Sequence, residues 1–292
     1  CTDGFGAALA AYLRFGDQAE YFPCRYGQVN SVANLDRLPA LEGRDVYIMD
    51  FSFSPEVMSA IIERSRYLVW LDHHKSAIED WCGKDYLTPD RQLFVDETEY
   101  TMVVLDNRKS GAVLAWEYFH PDANLPPLYG YIQDRDLWAW KLPRTRDVMA
   151  ALRTYPGDFE VWEHFLSERS LDTLLREGLA INRQVDKQLQ EISTQVIKVD
   201  TGMARVAVCN APGSLASELG NALLEQHPDC VMAITWYMSS TPGKISVSLR
   251  SRKGGFDCAK FAKNYGGGGH QGAAGCSWEM TTLAQLLDSA IK

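Results

Sequence analysis

The chain has 292 residues, 46% of them hydrophobic, and a formal net charge of −9, so it is long enough for two domains that each bury a core. The acidic balance argues against nonspecific binding to long duplex nucleic acid, which requires many basic side chains opposite the phosphates. The apolar runs stay far below the about 20 residues that cross a bilayer, so no membrane partner is expected.

The N-terminal part of the chain predicts strands that alternate with helices. Strands are expected over 45–49 and 67–71. Helices are expected from Ala7 to Phe15, from the serine and proline at 54 and 55 onward, and from the cap residue Ser110 onward. A strand followed by a helix and a second strand indicates a parallel sheet.

Acidic residues follow both predicted strands. The first strand ends in Asp50, and the second ends in Asp72, His73 and His74. In open α/β sheets, ligands bind beyond the carboxyl ends of the strands. Asp3 is expected at the turn before the first helix, and we expect it to join this group.

A fourth carboxylate is expected from the stretch that follows Tyr131. Asp134 is our choice, and Asp136 is the alternative that the sequence does not separate from it. Carboxylates with a few imidazoles suit Mn²⁺ or Mg²⁺ better than structural zinc. Two such ions, about 3.5 to 4 Å apart, can share a carboxylate and activate water against phosphorus. Trp138 and Trp140, just beyond, are predicted to be packing residues, with a substrate-binding platform as the alternative.

The C-terminal part predicts a second α/β unit. A long charged helix is expected from Ser170 to about Ile197, and beyond it we expect strands over 204–209, 231–236 and 245–249 with helices over 214–225 and 257–265. The domain limits predicted in this way are 1–168, a helical connector over 169–197, and 198–292. The C-terminal domain should be the smaller one and should contain a mixed sheet.

A glycine-rich segment, Gly266 to Gly275, is the second strong motif. Glycine allows backbone N–H groups to approach an anion, and His270 and Arg250 can add charge and hydrogen bonds to a phosphate. No Gly-Lys-Ser/Thr sequence ends the segment, so it is not a Walker loop. Arg252 and Lys253, beside Arg250, are expected at a solvated strand end.

Taken together, these motifs resemble those of the DHH superfamily of phosphoesterases that carry a C-terminal DHH-associated domain. The matching residues, in chain order, are Asp3-Gly4, Asp50, Asp72-His73-His74, Asp134 and Gly266 to Gly275. Relatives of this kind include RecJ-type exonucleases, oligoribonucleases, cyclic dinucleotide phosphodiesterases and exopolyphosphatases. The resemblance implies an N-terminal DHH catalytic domain and a C-terminal substrate-binding domain.

One position departs from the family pattern. The family usually has a further aspartate two residues before the one matched by Asp3, and this chain has Cys1 there. We expect Cys1 to be a small neighbour of the site rather than a ligand, because Mn²⁺ prefers oxygen donors to thiolate. The absence of an initiator Met suggests that a strand precedes Cys1 in the complete protein.

The resemblance also implies roles for the site residues. Two divalent ions, Mn²⁺ with Mg²⁺ as the alternative, are expected on Asp3, Asp50, His73 and Asp134, with Asp50 as the bridge. Asp72 is expected to orient an imidazole and His74 to face the phosphate. The group that holds the rest of the substrate is expected to comprise Arg250, Gly268, Gly269 and His270, with Arg250 and His270 also placed among the catalytic residues.

The predicted activity is hydrolysis of phosphate esters in small or short substrates. Short oligonucleotides, phosphoadenosine phosphate and dinucleotides are the candidates, and polyphosphate or pyrophosphate hydrolysis is the alternative. A nucleotide sensor without turnover is the competing hypothesis from another class. Seven cysteines without CxxC spacing favour a cytoplasmic protein, and a homodimer remains an open option.

Overall fold

The structure is a computed structural model, and it describes residues 1–25, 27–82 and 93–288, apart from the side chains of residues 76, 82, 93–97 and 270. The chain divides into two compact units, Cys1–Asn182 and Arg183–Lys292. Among the described helices, none combines the length and the apolar character that a membrane span requires.

The first unit contains a sheet whose strand order is β1-β2-β4-β3. Its strands are β1 (Asp45–Met49), β2 (Tyr67–Asp72), β3 (Leu93–Glu97) and β4 (Thr101–Asp106). Strands β1, β2 and β4 are parallel, and β3 pairs with β4 in the antiparallel direction at the edge. The predicted parallel sheet is therefore confirmed, with one antiparallel strand added.

Helices cover both faces of this sheet. They are α1 (Thr2–Phe15), α2 (Pro55–Arg64), α3 (Lys75–Cys82), α4 (Gly111–Phe119), α5 (Pro127–Asp136), α6 (Thr145–Leu152) and α7 (Phe159–His164). Val69 and Leu71 of β2 pack into a core with α1, α4 and α5, whereas Leu68 and Trp70 pack into a second core with α2 and α3. Burial on both faces explains why β2 reads as one continuous apolar run.

Two predicted positions differ from those observed. Asp3 lies in the first turn of α1 and not in a turn before the helix, because α1 begins at Thr2 instead of Ala7. Asp134 and Asp136 lie in the last turn of α5. Of the carboxylates predicted for the site, Asp50 and Asp72 therefore stand at strand ends, and Asp3, Asp134 and Asp136 lie at helix termini.

A long helix, α8 (Glu168–Ser193), contains the division between the two units. It ends before Ile197, which was expected to be helical and instead opens β5 (Ile197–Asp200). The helix is strongly amphipathic, and within the second unit its apolar residues Val185, Leu189 and Ile192 pack on the sheet of that unit. One-sided burial of this kind stabilises a long helix that carries many charges.

The second unit is built on a mixed sheet, as predicted, and this sheet has six strands, three more than were expected. Its strands are β5, β6 (Arg205–Asn210), β7 (Met232–Met238), β8 (Lys244–Ser251), β9 (Gly268–His270) and β10 (Ala273–Glu279), in the order β5-β6-β7-β8-β10-β9. Strands β6 and β7 are parallel, and the other pairs are antiparallel. The helices are α9 (Ala216–Gln226), α10 (Cys258–Lys263) and α11 (Met280–Asp288).

The glycine-rich segment is a tight strand pair rather than an open loop. A Cβ atom on Gly267 would lie 2.2 Å from the carbonyl oxygen of Gly275, and one on Gly269 would lie 2.5 Å from that of Ala273. These two glycines are required because the backbones pass so closely. A Cβ on Gly268 would meet no atom within 4 Å, so packing does not explain that glycine.

Candidate metal centre

Asp50 and Asp72 lie side by side because they end neighbouring parallel strands. The chain leaves β1 at Asp50 with a left-handed φ of 52°, a conformation that aspartate tolerates better than most residues. The N–H of Asp50 donates to the carbonyl of Leu71 at 2.9 Å. This bond fixes the turn, and the Asp50 carboxylate is then buried at the edge of the sheet.

The imidazole of His73 lies among three carboxylates. Its Nε2 lies 3.1 Å from Oδ1 of Asp50, 3.5 Å from Oδ2 of Asp3 and 3.5 Å from Oδ2 of Asp136. Burial lowers the pKa of His73, but the hydrogen bond to Asp50 and the charges of Asp3 and Asp136 outweigh it and raise the pKa to about 9. The imidazole is therefore protonated at neutral pH when no metal replaces that proton.

Asp3 is held by the N-terminus of α4. Its Oδ2 accepts from the N–H of Gly111 at 2.7 Å, and its Oδ1 accepts from the N–H of Ala112 at 3.0 Å. Despite these bonds, burial and then the charges of Asp50 and Asp136 raise the pKa of Asp3 to about 7. So much negative charge in a buried site needs a compensating cation.

Asp72 orients His74 and keeps one oxygen without a partner. Its Oδ1 accepts from the backbone N–H of His73 at 2.8 Å and lies 2.7 Å from Nδ1 of His74. Its Oδ2 is buried and has no hydrogen-bond partner in the described part of the chain. Burial lowers the pKa of His74, but the bond to Asp72 and its charge raise it overall.

Asp136, and not Asp134, belongs to the carboxylate cluster. The two oxygens of Asp134 accept from the N–H groups of Lys141 at 2.7 Å and Leu142 at 3.1 Å, and also from the hydroxyl of Thr145. Thr145 and the two N–H groups lower the pKa of Asp134 against the effect of burial, whereas burial raises the pKa of Asp136. Two residues along a helix turn the side chain by about 200°, so Asp134 cannot share the direction of Asp136.

The donor atoms of the cluster form two overlapping groups that suit divalent ions. One group is Asp50, Asp72, His73 and His74, the other is Asp3, His73 and Asp136, and within each group the candidate ligand atoms lie within 4.8 Å of one another. The partnerless Oδ2 of Asp72 and the raised pKa of Asp3 both fit a site that binds a cation. Carboxylates with imidazoles form a donor set for Mn²⁺ or Mg²⁺.

Cys1 lies against this cluster. Its thiol donates to Oδ2 of Asp50 at 2.9 Å, and its Sγ accepts from the N–H of Gly4 at 3.1 Å. The sulfur is thus a direct neighbour of a candidate ligand. The expectation that Cys1 itself does not bind a metal stays a prediction.

The pKa values predict that the metal-free protein loses stability as the pH rises from about 4 to about 9. Asp3, raised from 3.8 to about 7, and His73, raised from 6.5 to about 9, both bind protons more tightly in the folded state. Their contribution is fully present below the unfolded pKa and is lost as the pH passes the folded value. Thermal unfolding in EDTA should show this decline, and saturating Mg²⁺ should raise the melting temperature more at pH 9 than at pH 6.

The Asp3→Asn variant is the control for this pH dependence, because other groups titrate in the same range. Asparagine at this position keeps the volume of the side chain and removes the carboxyl proton. The decline of the melting temperature between about pH 4 and 7, the range in which Asp3 loses its proton, should therefore be smaller in Asp3→Asn. An equal decline in both proteins would show that the cluster does not cause it.

Gly111 was not identified from the sequence, although the centre depends on it. A Cβ on Gly111 would lie 2.5 Å from the Cβ of Asp50, so Gly111→Ala must displace either Asp50 or the start of α4. Displacement of a candidate ligand should weaken Mn²⁺ binding at least about tenfold, as measured by calorimetric titration. Gly130→Ala is the matched control, because its Cβ would meet only Leu142 Cδ1, at 3.5 Å. Equal Mn²⁺ affinity in the two variants would contradict this role of Gly111.

In the second unit, Arg250 lines a pocket of about 360 Å³ together with Ser217, Tyr237 and Ser248. Its guanidinium donates to Oγ of Ser217 at 2.6 Å and Oγ of Ser248 at 3.1 Å. Burial lowers the pKa of Arg250. Gly220 of α9 makes room for this side chain, since a Cβ there would lie 2.7 Å from Cγ of Arg250.

The other predicted substrate-binding residues are at the opposite edge of β10. Gly268 and Gly269 pair with β10 at Gly275 and Ala274, and the side chain of His270 lies outside the described part of the structure. Arg252 is exposed, as expected, and it also donates to the carbonyl groups of Cys230, Leu224 and His227. It therefore joins the end of α9 to the strand that follows.

Comparisons with known proteins agree with these observations. Residues 195–292 match the DHHA1 domain family. The chain is 29% identical to the uncharacterized protein R106 of Acanthamoeba polyphaga mimivirus, over 95% of this chain and 65% of that protein. It is 23% identical to the oligoribonuclease NrnB of Bacillus subtilis (strain 168), over 94% of this chain and 70% of that protein. The chain thus spans about two thirds of the length of these relatives.

A solved structure with a similar arrangement is an exopolyphosphatase-related protein from Bacteroides fragilis. It is 15% identical, covers 99% of this chain and 88% of its own, and superposes with a TM-score of 0.46. The DHHA1 match covers residues 195–292, so the aspartates and the Asp72-His73-His74 triplet lie outside it. The C-terminal end of the chain is therefore similar to a DHHA1 domain, and the chain as a whole resembles the DHH superfamily of phosphoesterases.

Proposed function

We propose that this protein hydrolyses phosphate esters of small or short phosphorylated substrates with the help of two divalent ions, Mn²⁺ in the first place. The observation that carries the proposal is the cluster of Asp3, Asp50 and Asp136 around Nε2 of His73, in which Asp3 and Asp50 are buried. The two overlapping donor groups, which share His73, favour two ions over one. Bound there, divalent ions would supply Lewis acidity toward water and phosphate oxygens.

The side chains of the metal centre have different proposed roles. Asp50 takes part in the first donor group and also contacts His73, which belongs to both groups, so it is the best candidate for a shared ligand. Asp72 holds Nδ1 of His74 and thereby fixes the direction of the ring. The side chain of His74 is 29% exposed. With its raised pKa it can hold a proton on Nε2 for a phosphate oxygen or the leaving group.

In the second unit, we propose that the pocket lined by Arg250 binds a phosphate or another anionic part of the substrate. The serine hydroxyls hold the guanidinium in one position, and a fixed planar guanidinium suits phosphate. Gly268 and Gly269 remain proposed contributors through their backbone, with His270 beside them. Cytoplasmic location and the absence of long nucleic acid among the partners also remain proposals.

The substrate class is best tested by direct comparison. The protein with Mn²⁺ is assayed on dinucleotides, phosphoadenosine phosphate, cyclic dinucleotides and polyphosphate, with EDTA-treated protein as the control. We expect release of phosphate or mononucleotide from at least one ester, and none in EDTA. Hydrolysis of polyphosphate alone would replace the proposal by phosphoanhydride hydrolysis, and tight binding of an ester without turnover would indicate a nucleotide sensor.

A further inference from the structure

The segment after α5 exposes two indole rings beside the metal centre. Trp138 is 47% exposed and Trp140 is 40% exposed, which contradicts the prediction that both are packing residues. Large aromatic side chains contribute strongly to stability when they are buried, so a pair left in solvent needs another explanation. Scattered apolar residues are common on surfaces, but these two are in contact with each other.

The two rings and one guanidinium form a single cluster. The ring centroids of Trp138 and Trp140 lie 5.0 Å apart at an interplanar angle of 76°. The guanidinium carbon of Arg135 lies 4.4 Å from the Trp138 centroid and 5.5 Å from that of Trp140. Each ring thus keeps a fixed orientation while a large part of its surface faces solvent. Exposed, pre-ordered indoles lose little conformational entropy when a flat ligand binds.

The backbone that carries these rings is strained and held in place. Trp138, Trp140 and Arg144 have φ values of 55°, 52° and 66°, and this left-handed backbone is unfavourable for residues other than glycine. Asp134 stabilises the segment through the N–H groups of Lys141 and Leu142. Strain that neighbouring groups maintain in this way is a frequent feature of functional sites.

The position of the two indole rings next to the metal centre indicates which class of ligand they would bind. Asp136, whose Oδ2 lies 3.5 Å from Nε2 of His73, precedes Trp138 by two residues, so the two Cα atoms are at most about 7 Å apart. A substrate whose phosphate lies at the metal centre has its next chemical group near these rings. Nucleobases stack on aromatic rings and on arginine, and each stacked base adds to the affinity for the ligand.

We propose that Trp138, Trp140 and Arg135 form a nucleobase-binding platform next to the metal centre. This inference rests on the proposed function and narrows it, because polyphosphate and pyrophosphate have no flat ring to stack. A base would lie on the exposed indole surface while its phosphate points to the carboxylate cluster. Since every base has such a face, the platform should accept different bases and discriminate against ligands that lack a base.

The test measures binding and requires no turnover. The full chain with Mn²⁺ is titrated calorimetrically with adenosine monophosphate and with ribose 5-phosphate, which lacks the base. We expect the unmodified protein to bind adenosine monophosphate at least about fivefold more tightly than ribose 5-phosphate. In Trp138→Ala and Trp140→Ala this ratio should fall toward one, whereas Trp138→Phe, which keeps a flat ring, should retain most of it.

Phe22→Ala is the control, because Phe22 is another exposed aromatic residue outside the platform, and it should preserve the ratio. An unchanged ratio in Trp138→Ala and Trp140→Ala would overturn the proposal. A change of oligomeric state in these variants without a change of the ratio would also overturn it, since the rings would then contact a second copy. Tryptophan-dependent binding in a protein that hydrolyses no ester would refute the proposed function and leave the platform standing.

Discussion

Replacement of Asp50 by asparagine should reduce phosphate release by a factor on the order of 10³ or more, because it removes a charged candidate ligand of the divalent ions. Asparagine is the informative substitution here. Asp50 has a left-handed φ of 52°, and asparagine adopts that conformation readily, whereas alanine would add backbone strain. A loss of activity in Asp50→Asn can therefore be attributed to the carboxylate.

Metal binding should decline together with activity in Asp50→Asn. Calorimetric titration with Mn²⁺ should show the loss of at least one site, because Asp50 takes part in the larger donor group. Undiminished Mn²⁺ binding and turnover would show that Asp50 is not a ligand. The free thiol of Cys1, which donates to Oδ2 of Asp50, should become more reactive toward a thiol reagent when its charged partner is removed.

Asp106 supplies a matched control for Asp50. It ends β4, the next parallel strand, and is also buried, but its carboxylate accepts from the guanidinium of Arg108 at 2.8 and 3.0 Å. Asp106→Asn weakens a hydrogen-bonded ion pair and should lower thermal stability without loss of metal binding. Comparison of the two variants separates a strand-end aspartate in the centre from one with a structural role.

Replacement of Asp136 and of Asp134 by asparagine should have different effects on Mn²⁺ binding and activity. Asp136→Asn should weaken Mn²⁺ binding and lower kcat/KM by about 10²-fold, because the Asp136 carboxylate lies in the cluster around His73. Asp134→Asn should leave Mn²⁺ binding intact. It should instead destabilise the protein, since an asparagine amide nitrogen cannot accept the N–H hydrogen bonds that Asp134 receives from Lys141 and Leu142.

Asp134→Asn should also act on substrate affinity through the tryptophan segment. The platform depends on a backbone that Asp134 holds, so KM for a nucleotide substrate should rise while kcat changes less. Three measurements are needed for both variants: the Mn²⁺ titration, the melting temperature and the separate values of kcat and KM. Loss of Mn²⁺ binding in Asp134→Asn, with retention in Asp136→Asn, would return the ligand assignment to Asp134.

Several features of the molecule could be predicted from local sequence because local sequence determines them. The apolar run before Asp72 predicts a buried parallel strand, and two strands that end in aspartate predict carboxylates at one sheet edge. The structure contains that strand and that edge. The serine at position 110 predicts the start of α4, and the structure places it there as the N-cap. Periodicity and capping operate over a few residues, so no tertiary information is needed for them.

The composition of the site could also be expected from the sequence, but its arrangement could not. Asp3, Asp50, Asp72, His73 and His74 were identified from the order of motifs and from ligand chemistry. The choice between Asp134 and Asp136 depends on which side of α5 faces β2, and that is set by packing of the helix against α1, α4 and α6. Two aspartates separated by one residue look alike until the helix is docked.

The tertiary structure also determines whether the two tryptophans are exposed and why the glycines are required. Composition favours burial for Trp138 and Trp140, but hydrogen bonds to Asp134 fix a left-handed backbone that exposes both rings. The glycine run suggests an anion-binding loop, whereas close approach of β9 and β10 requires Gly267 and Gly269 for steric reasons. Sequence by itself determined which chemical groups are present and which elements carry them. Long-range packing decided which of those groups meet, because contacts between distant segments depend on the direction of each side chain.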